Sequence, residues 1–179
     1  VREAILNTYP RSDVRADGQV VKIAFSDGMK FEILPAFVTY GWNGIIYKYP
    51  DTNMGGNWRS TNPKAEQGAM RDKNKSSNGL LFDTCKHMRY IRDNYFKSYH
   101  LSGIVIDSFV YAAIKNWRWT TPEESSSAAE PGEYEKLLYD YYLYNLRFSN
   151  TINAPGSNDY VDVSSSKDCL EKVLLKMCK

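Results

Sequence analysis

The stretch Gly28-Met-Lys-Phe-Glu-Ile-Leu-Pro-Ala-Phe37 decides how the first part of this chain folds. Strand side chains alternate between two faces, so Phe31 and Ile33 are expected to enter a core while Glu32 faces the other way. Pro35 cannot donate to a strand ladder and ends the strand. A carboxylate at position 32 is either a solvated surface group or one ligand of a metal ion. Strand spacing by itself favours the surface group, because charged side chains are mostly exposed.

A β-hairpin is predicted around this stretch. Residues 20–25 alternate as in a half-buried strand, with the apolar Val21, Ile23 and Phe25 on one face. The dipeptide Asp27-Gly28 follows, and it is typical of tight primed turns because glycine tolerates a positive φ. Met29 to Leu34 is the returning strand, and Ile45 to Tyr49 predicts a further short strand.

The remainder of the sequence predicts helices joined by loops. Residues 52–77 are rich in turn formers and predict a long loop with one short helix near Ala65 to Lys73. Apolar stripes at helical spacing follow, and one of these helices is expected to begin with Ser98 as its N-cap. Residues 120–132 have the composition of a mobile linker. The expected fold class is therefore α+β, with a β-hairpin of a larger sheet followed by an α-helical bundle.

Composition limits the classes of function. The chain has 179 residues and a net charge of +2, which is too small to indicate a nucleic-acid binder by itself. Three cysteines without metal-ligand spacing and only two histidines argue against a structural zinc site. Reduced thiols in the cytoplasm are expected instead. No apolar run is long enough to span a bilayer, so no membrane partner is expected.

A pair of cations and a Ser-Tyr dipeptide form the second group of candidate residues. Lys86 and Arg89 are three positions apart and lie on one side of the predicted helix. Ser98 and Tyr99 open what is predicted to be the next helix, where free backbone N–H groups favour an anion. Together they predict a phosphate pocket. Two solvated charges and an ordinary N-cap are the competing interpretation, which periodicity alone favours.

Two other patterns are candidate functional motifs: an aromatic residue that could bind a base, and a Gly-Ser dipeptide near two aspartates. Trp58 could stack a nucleobase, although packing onto its own domain is the default alternative. Gly156-Ser157 with Asp159 and Asp162 imitates a Gly-Ser turn followed by paired aspartates. Its carboxylates follow the Gly-Ser too closely, and at a spacing of three they do not share one strand face. This second pattern is set aside.

Taken in order, these short motifs resemble those of one family. They are Phe-Glu-Ile-Leu-Pro-Ala-Phe (31–37), Tyr-Pro-Asp (49–51), Gly-Gly-Asn-Trp (55–58), Thr-Asn-Pro-Lys (61–64), Cys-Lys-His-Met-Arg (85–89) and Lys-Ser-Tyr-His-Leu (97–101). From about residue 15 to residue 115, the chain resembles the C-terminal portion of a cGAS/DncV-like bacterial nucleotidyltransferase. These are cyclic-oligonucleotide synthases related to oligoadenylate synthase.

The resemblance implies a polymerase-β-like nucleotidyltransferase fold followed by a helical domain, with the nucleotide between them. In that family two Mg²⁺ ions held by three carboxylates activate a ribose hydroxyl for attack on an α-phosphate. Glu32 matches the third carboxylate, which makes it the implied catalytic residue and metal ligand. Arg89, with Lys86 on the same helix, falls where the triphosphate binds, and Ser98 and Tyr99 match the dipeptide that reaches the phosphates.

The resemblance also implies a division of the chain. Residues 1–50 would be the C-terminal part of the catalytic core, and residues 51–179 would be the helical nucleotide-binding domain. The first two metal carboxylates of the family, an Asp-x-Asp after a Gly-Ser turn, precede the hairpin and are not found in this sequence. The start at Val1, without a methionine, is consistent with a portion of a longer protein.

The expected function is that of the C-terminal portion of a nucleotidyltransferase. The parent enzyme would make cyclic or linear oligonucleotide second messengers from nucleoside triphosphates in antiphage signalling. This portion is expected to be inactive by itself, because one carboxylate cannot hold two divalent ions. An activating nucleic acid or protein is left open as a further partner. The alternative is a non-catalytic module that binds nucleotide or RNA and has a regulatory role.

Overall fold

The computed structural model describes residues 1–41, 44–52, 56–124 and 129–179, and the chain divides into two units. The first is Val1–Asn62 and the second is Pro63–Lys179. The α+β class expected from the sequence is confirmed. The division lies after residue 62 rather than after residue 50, because a strand at Asn57–Thr61 pairs with Gly44–Asp51 and so belongs to the first unit.

The first unit contains one short helix and two antiparallel sheets. Strands β1, β2 and β3 form one three-stranded sheet, and strands β4, β5 and β6 form the other. The elements are α1 (Arg2–Thr8), β1 (Asp13–Asp17), β2 (Val20–Ala24), β3 (Lys30–Ile33), β4 (Phe37–Gly41), β5 (Gly44–Asp51) and β6 (Asn57–Thr61). The strand predicted at Ile45 to Tyr49 is confirmed and extends to Asp51.

The predicted hairpin is confirmed as β2 and β3, but its turn differs from the expectation. The Gly28 N–H donates to the Phe25 carbonyl at 3.1 Å, and the Phe25 N–H donates to the Met29 carbonyl at 2.9 Å. Gly28 has φ 89°, whereas Asp27 is not among the residues with positive φ. A primed turn centred on Asp27-Gly28 would need a positive φ at Asp27. The connection is therefore a three-residue loop closed by a glycine bulge.

The first unit buries few apolar side chains. Val14, Val21 and Ile23 form its core, and Ile33 packs against them. Phe31 stays 51% exposed, so the expectation that it enters a core is wrong. It pairs with Ile23 across the hairpin, on the outer strand of its sheet, and its ring meets Phe25 edge-on at 5.8 Å.

The second unit consists of helices around a common core, together with a small hairpin. The elements are α2 (Pro63–Ser76), α3 (Leu80–Tyr95), α4 (Gly103–Ala113), α5 (Glu133–Tyr141) with a π-helical turn at Tyr142–Leu146, β7 (Thr151–Asn153), β8 (Tyr160–Asp162) and α6 (Lys167–Met177). The core is formed mainly by α3, α4 and α6, and includes Leu81, Met88, Phe109, Leu170 and Leu174, each fully buried.

The short helix predicted near Ala65 to Lys73 is confirmed and is longer than expected, whereas the prediction that the rest of residues 52–77 is a long loop is wrong. Strand β6 and the 14-residue helix α2 occupy most of this range. Pro63 stands at the first position of α2, where its missing N–H costs nothing. No residue of α2 is fully buried, so its sequence lacks the apolar stripe by which α3 was recognised.

Helix α4 begins later than expected. Ser102, not Ser98, is its N-cap, and the Ser102 hydroxyl oxygen accepts from the Val105 N–H at 3.4 Å. Ser98 lies in the turn between α3 and α4, where the Tyr99 N–H donates to the Phe96 carbonyl at 2.9 Å. The prediction of Ser98 as N-cap is therefore wrong.

Parts of two sequence features lie outside the described residues. These are residues 125–128 of the predicted linker and Gly55 of the Gly-Gly-Asn-Trp motif. Trp119, just before the predicted linker, is held by the turn between α2 and α3. Its N–H donates to the Ser77 carbonyl at 3.1 Å, and its carbonyl accepts from the Asn78 amide at 2.7 Å.

None of the helices in the described part of the chain combines the length and the apolar character needed to cross a membrane.

Candidate functional site

A cavity of about 460 Å³ lies in the second unit and is lined mainly by α2, α3 and α4. Part of its wall is apolar and is formed by Met70, Phe82, Cys85, Ile104 and Pro155. The polar part is formed by Glu66, Gln67, Arg71, Lys86, Arg89 and Asp107. Lys86 and Arg89, which the sequence predicted to share a helix face, therefore do line one cavity.

Arg89 is anchored to the N-terminal turns of α4. Its Nη2 atom lies 2.7 Å from Asp107 Oδ1 and donates to the Gly103 carbonyl at 3.3 Å. Burial opposes the charge on Arg89 most strongly. The hydrogen bond and the charge of Asp107, together with Cys85, outweigh burial in sum, so the pKa of Arg89 is raised. Because a guanidinium has five N–H donors and both contacts use Nη2, Arg89 keeps donors for an anion.

Lys86 lies at the open side of the cavity. Its side chain is 77% exposed and sits 3.7 Å from Asp83, one turn earlier on α3. An ion pair this exposed is worth little, so the ammonium group can turn toward an anionic ligand at small cost.

Cys85 lines the same cavity but is not a nucleophile. Burial, with a further contribution from the Asp107 carboxylate, raises the pKa of the Cys85 thiol to about 12. The thiolate is the reactive form of cysteine, and at neutral pH it is essentially absent here.

Glu66 is one of the polar residues of this cavity that the sequence did not single out. It lies on α2, and the Ser157 hydroxyl lies 3.1 Å from Glu66 Oε1. Burial raises the pKa of Glu66, the hydrogen bond from Ser157 opposes this, and the nearby charge of Asp159 adds to it. Glu66 was missed because no motif marks it, although the short helix predicted near Ala65 to Lys73 includes it.

The Gly156-Ser157 dipeptide, set aside as a catalytic motif, has a structural explanation. It lies in the loop between β7 and β8, which packs onto α2. Gly156 has φ 69°, and a Cβ atom there would come within 2.5 Å of the Ala65 carbonyl oxygen and 2.8 Å of the Ala69 Cβ. Only glycine permits this close approach, which places Ser157 beside Glu66.

Tyr99 lines a different, smaller pocket of about 270 Å³, together with Arg92, Asp93, Lys97, His100 and Leu101. Lys172 Nζ lies 4.9 Å from the centre of the Tyr99 ring. Ser98 is exposed and is not among the residues that line either pocket. The four residues predicted to bind phosphate are thus divided: Lys86 and Arg89 share one cavity, Tyr99 lines a second, and Ser98 lies in the adjoining turn.

Glu32 is in the first unit and faces solvent, with 63% of its side chain exposed. It stands opposite Lys22 on β2, and the Lys22 ammonium lies 3.5 Å from Glu32 Oε1 and 2.5 Å from Asp17 Oδ2. Within the described residues, no group of three histidine, cysteine, aspartate or glutamate side chains could hold a metal ion. The residues present therefore do not fit a Mg²⁺ site by themselves.

The chain was compared with known families and proteins. Residues 1–74 match the family model described as Second Messenger Oligonucleotide or Dinucleotide Synthetase domain. This range includes Glu32 and its hairpin. No curated protein sequence matches the chain significantly.

Several solved structures share the fold. The CdnE cyclic dinucleotide synthase of Elizabethkingia meningoseptica, solved with GTP and Apcpp, matches at TM-score 0.64 and 10% identity over 98% of this chain. The GTP-bound form of DncV from Vibrio cholerae matches at TM-score 0.63 and 13% identity over 98% of this chain. The CdnE c-di-GMP synthase of Capnocytophaga granulosa matches at TM-score 0.65 and 12% identity, also over 98% of this chain.

This chain spans only part of each of these proteins: 66% of the Elizabethkingia CdnE, 47% of the Vibrio DncV and 58% of the Capnocytophaga CdnE. At identities this low the matches establish the fold, and the family model independently matches the segment around Glu32. The resemblance to the cGAS/DncV-like nucleotidyltransferases, expected from the sequence motifs, is therefore confirmed.

Proposed function

We propose that this chain is part of a nucleotidyltransferase that makes cyclic or linear oligonucleotide second messengers from nucleoside triphosphates. The observation that carries the proposal is the family match over residues 1–74 within a fold that follows known synthases over 98% of the chain. The proposed setting is antiphage signalling, where such messengers would report infection.

In this proposal the second unit binds the nucleotide. The cavity that Lys86 and Arg89 line supports this. It combines the exposed Lys86 ammonium and the unused N–H groups of Arg89 with an apolar wall. Arg89 would donate to a phosphate through the guanidinium N–H groups that Asp107 and Gly103 do not use. Ser98 and Tyr99 lie outside this cavity, so we assign the phosphate contact there to Lys86 and Arg89 and none to Ser98 or Tyr99.

Glu32 would be one of several carboxylates that hold Mg²⁺ in the complete enzyme, where the metal would activate the attacking hydroxyl. Among the described residues, no group of three histidine, cysteine, aspartate or glutamate side chains completes such a site around Glu32. The Lys22 ammonium, which contacts both Glu32 and Asp17, also opposes a cation. We infer that this chain does not catalyse nucleotidyl transfer without residues from elsewhere.

Nucleotide binding is tested by titrating the chain with fluorescently labelled GTP and ATP. The substitution Arg89→Ala should weaken binding about 10-fold or more, since a hydrogen bond to a charged group contributes about 1.5–3 kcal/mol. The exposed Arg147→Ala is the matched control and should bind as the wild type does. Because Arg89→Ala also leaves Asp107 unpaired, Arg89→Lys is measured in parallel and should retain part of the affinity. Equal affinity for wild type and Arg89→Ala would contradict the proposed site.

Inactivity is tested by incubating the chain with radiolabelled nucleoside triphosphates and Mg²⁺ or Mn²⁺. No oligonucleotide product is expected. If product forms and its formation depends on Glu32, the inference that the carboxylate set is incomplete is overturned.

A regulatory module without catalysis is the second candidate. It is favoured because no group of three metal-ligating side chains includes Glu32 among the described residues. Genomic sequence directly upstream separates the two. A Gly-Ser followed by Asp-x-Asp in the same reading frame supports the enzyme, whereas a start codon at the position of Val1 supports the module.

A further inference from the structure

We propose that the cavity of the second unit selects guanine nucleotides and that Glu66 is the residue that recognises the base. This inference rests on the proposed nucleotide binding and adds a base preference to it. Three features of the cavity support it: the charges that line it, its apolar wall and the fixed position of the Glu66 carboxylate.

The charges that line the cavity do not all cancel. Arg89 and Asp107 neutralise each other at 2.7 Å. Glu66 remains on α2 without a cationic partner among its described contacts, which are the Ser157 hydroxyl and the charge of Asp159. Arg71 and Lys86 remain as cations. A complementary ligand therefore offers hydrogen-bond donors to Glu66. It also offers an anionic group to Arg71 and Lys86 and to the N–H donors of Arg89 that Asp107 does not use.

The wall of the cavity is suited to a flat apolar body. Met70, Phe82, Ile104 and Pro155 line it, and its volume of about 460 Å³ is within the usual range of small-molecule sites. Aromatic and thioether side chains contact the faces of heteroaromatic rings favourably. A nucleotide has all the required parts: a planar base, an edge with polar groups and a phosphate at the other end.

The carboxylate of Glu66 distinguishes the two purines. Guanine presents two adjacent donors, N1–H and the N2 amino group, and these match the two acceptor oxygens of a carboxylate. Adenine presents one donor, its N6 amino group, beside the N1 acceptor. The N1 lone pair would face a carboxylate oxygen and repel it. A site built to accept two hydrogen bonds therefore discriminates against a base that can donate only one.

Glu66 is also held in place before any ligand binds. Its Oε1 atom lies 3.1 Å from the Ser157 hydroxyl, and the loop that carries Ser157 is fixed on α2 by the close approach of Gly156. Each carboxylate oxygen has two lone pairs, so Oε1 can accept from Ser157 and from a base at the same time. Partial burial of Glu66 makes an unpaired carboxylate costly, and two donors from guanine remove that cost.

The test compares the affinities of the full chain for labelled GTP and labelled ATP at neutral pH. Wild type should bind GTP about 10-fold more tightly than ATP, in line with the loss of one charged hydrogen bond. Glu66→Gln replaces one acceptor oxygen with a donor and should abolish the preference by weakening GTP, while ATP binding stays the same or improves. Glu123→Gln, an exposed position in the same unit, is the matched control and should keep the wild-type preference.

Two further variants keep the test decisive. Glu66→Asp keeps the carboxylate charge but shortens the side chain by one methylene, so the carboxylate lies farther from the base. This variant should also lose the GTP preference. Ser157→Ala removes the contact that orients Glu66, and it should reduce the preference without removing it. Equal affinities of the wild type for GTP and ATP, or an unchanged preference in Glu66→Gln or Glu66→Asp, would overturn the role of Glu66 and leave nucleotide binding intact. Failure of the wild type to bind either nucleotide would instead refute the proposed function, and this inference with it.

Discussion

The guanidinium of Arg89 is held by Asp107 through Nη2 alone, so one side chain both joins α3 to α4 and keeps donors directed at a ligand. Arginine is suited to this double role because its five donors are arranged in a rigid plane. The sequence predicted the shared face of Lys86 and Arg89 from their spacing. It could not predict Asp107 as a partner, since the two residues are 18 positions apart and meet only when the helices pack.

The three cysteines make a residue-scale prediction. Cys85 and Cys169 are buried and Cys178 is exposed, and burial raises the pKa of the Cys85 thiol to about 12. With the folded chain at pH 8, a thiol reagent such as DTNB should react quickly with one thiol per chain. Cys178→Ser should remove this fast phase, and Cys85→Ser should leave it unchanged. Two or three fast thiols in the wild type would show that the α3 core is more open than described.

At the scale of elements, the position of a helix start was decided by tertiary contacts. Both Ser98 and Ser102 precede apolar residues, and the sequence favoured the earlier serine. In the structure the Ser102 N–H donates to the Ser166 hydroxyl at 3.3 Å, and Arg92 donates to the carbonyl of Leu101 at 2.9 Å. These contacts from α6 and α3 fix the chain just before α4, so the helix begins at Gly103.

The two serines give a matched pair of variants. Ser102→Ala removes the N-cap of α4 and should lower the free energy of unfolding by about 1 kcal/mol. Ser98→Ala removes an exposed hydroxyl from a turn and should change it by less than about 0.5 kcal/mol. Urea denaturation followed by circular dichroism at 222 nm measures both. The reverse order of effects would mean that the helix begins at Ser98 after all.

Helices α2 and α3 show which elements a sequence reveals. Helix α3 buries six residues, including Leu81, Met88 and Ile91, and burial on one face imposes an apolar stripe with helical spacing. Helix α2 buries none fully, although Met70 packs against the core, and Glu66 meets the Ser157 hydroxyl. The same reasoning therefore identified α3 clearly but predicted α2 only as a short helix within a loop.

At the scale of the whole molecule, the two units differ in how much apolar surface they bury. Among its described residues, the first unit has three buried apolar side chains, Val14, Val21 and Ile23. Phe31, Phe37, Tyr40 and Trp58 are at least half exposed. The second unit has a core of fully buried side chains from α3, α4 and α6. Since burial of apolar surface is the main source of stability, the units should differ in resistance to local unfolding.

Hydrogen exchange measured by mass spectrometry tests this difference. Backbone amides of β1 to β6 should exchange faster than amides of α3 and α4, even though the strands are paired. Helix α2 serves as an internal reference, because it is helical without fully buried residues and should exchange faster than α3. Protection in the first unit equal to that in α3 and α4 would contradict the assignment of a small core to it.

The sequence by itself determined the α+β class, the hairpin around Glu32, helix α3 and the family resemblance. These depend on local rules: alternation in strands, helical spacing in stripes and the order of short motifs along the chain. The tertiary structure alone decided that Arg89 pairs with Asp107, that Glu66 meets Ser157 and that Tyr99 lines a separate pocket from Arg89. These residues are far apart in the chain or on different elements. No local pattern encodes such meetings, because they arise only when helices and loops pack against one another.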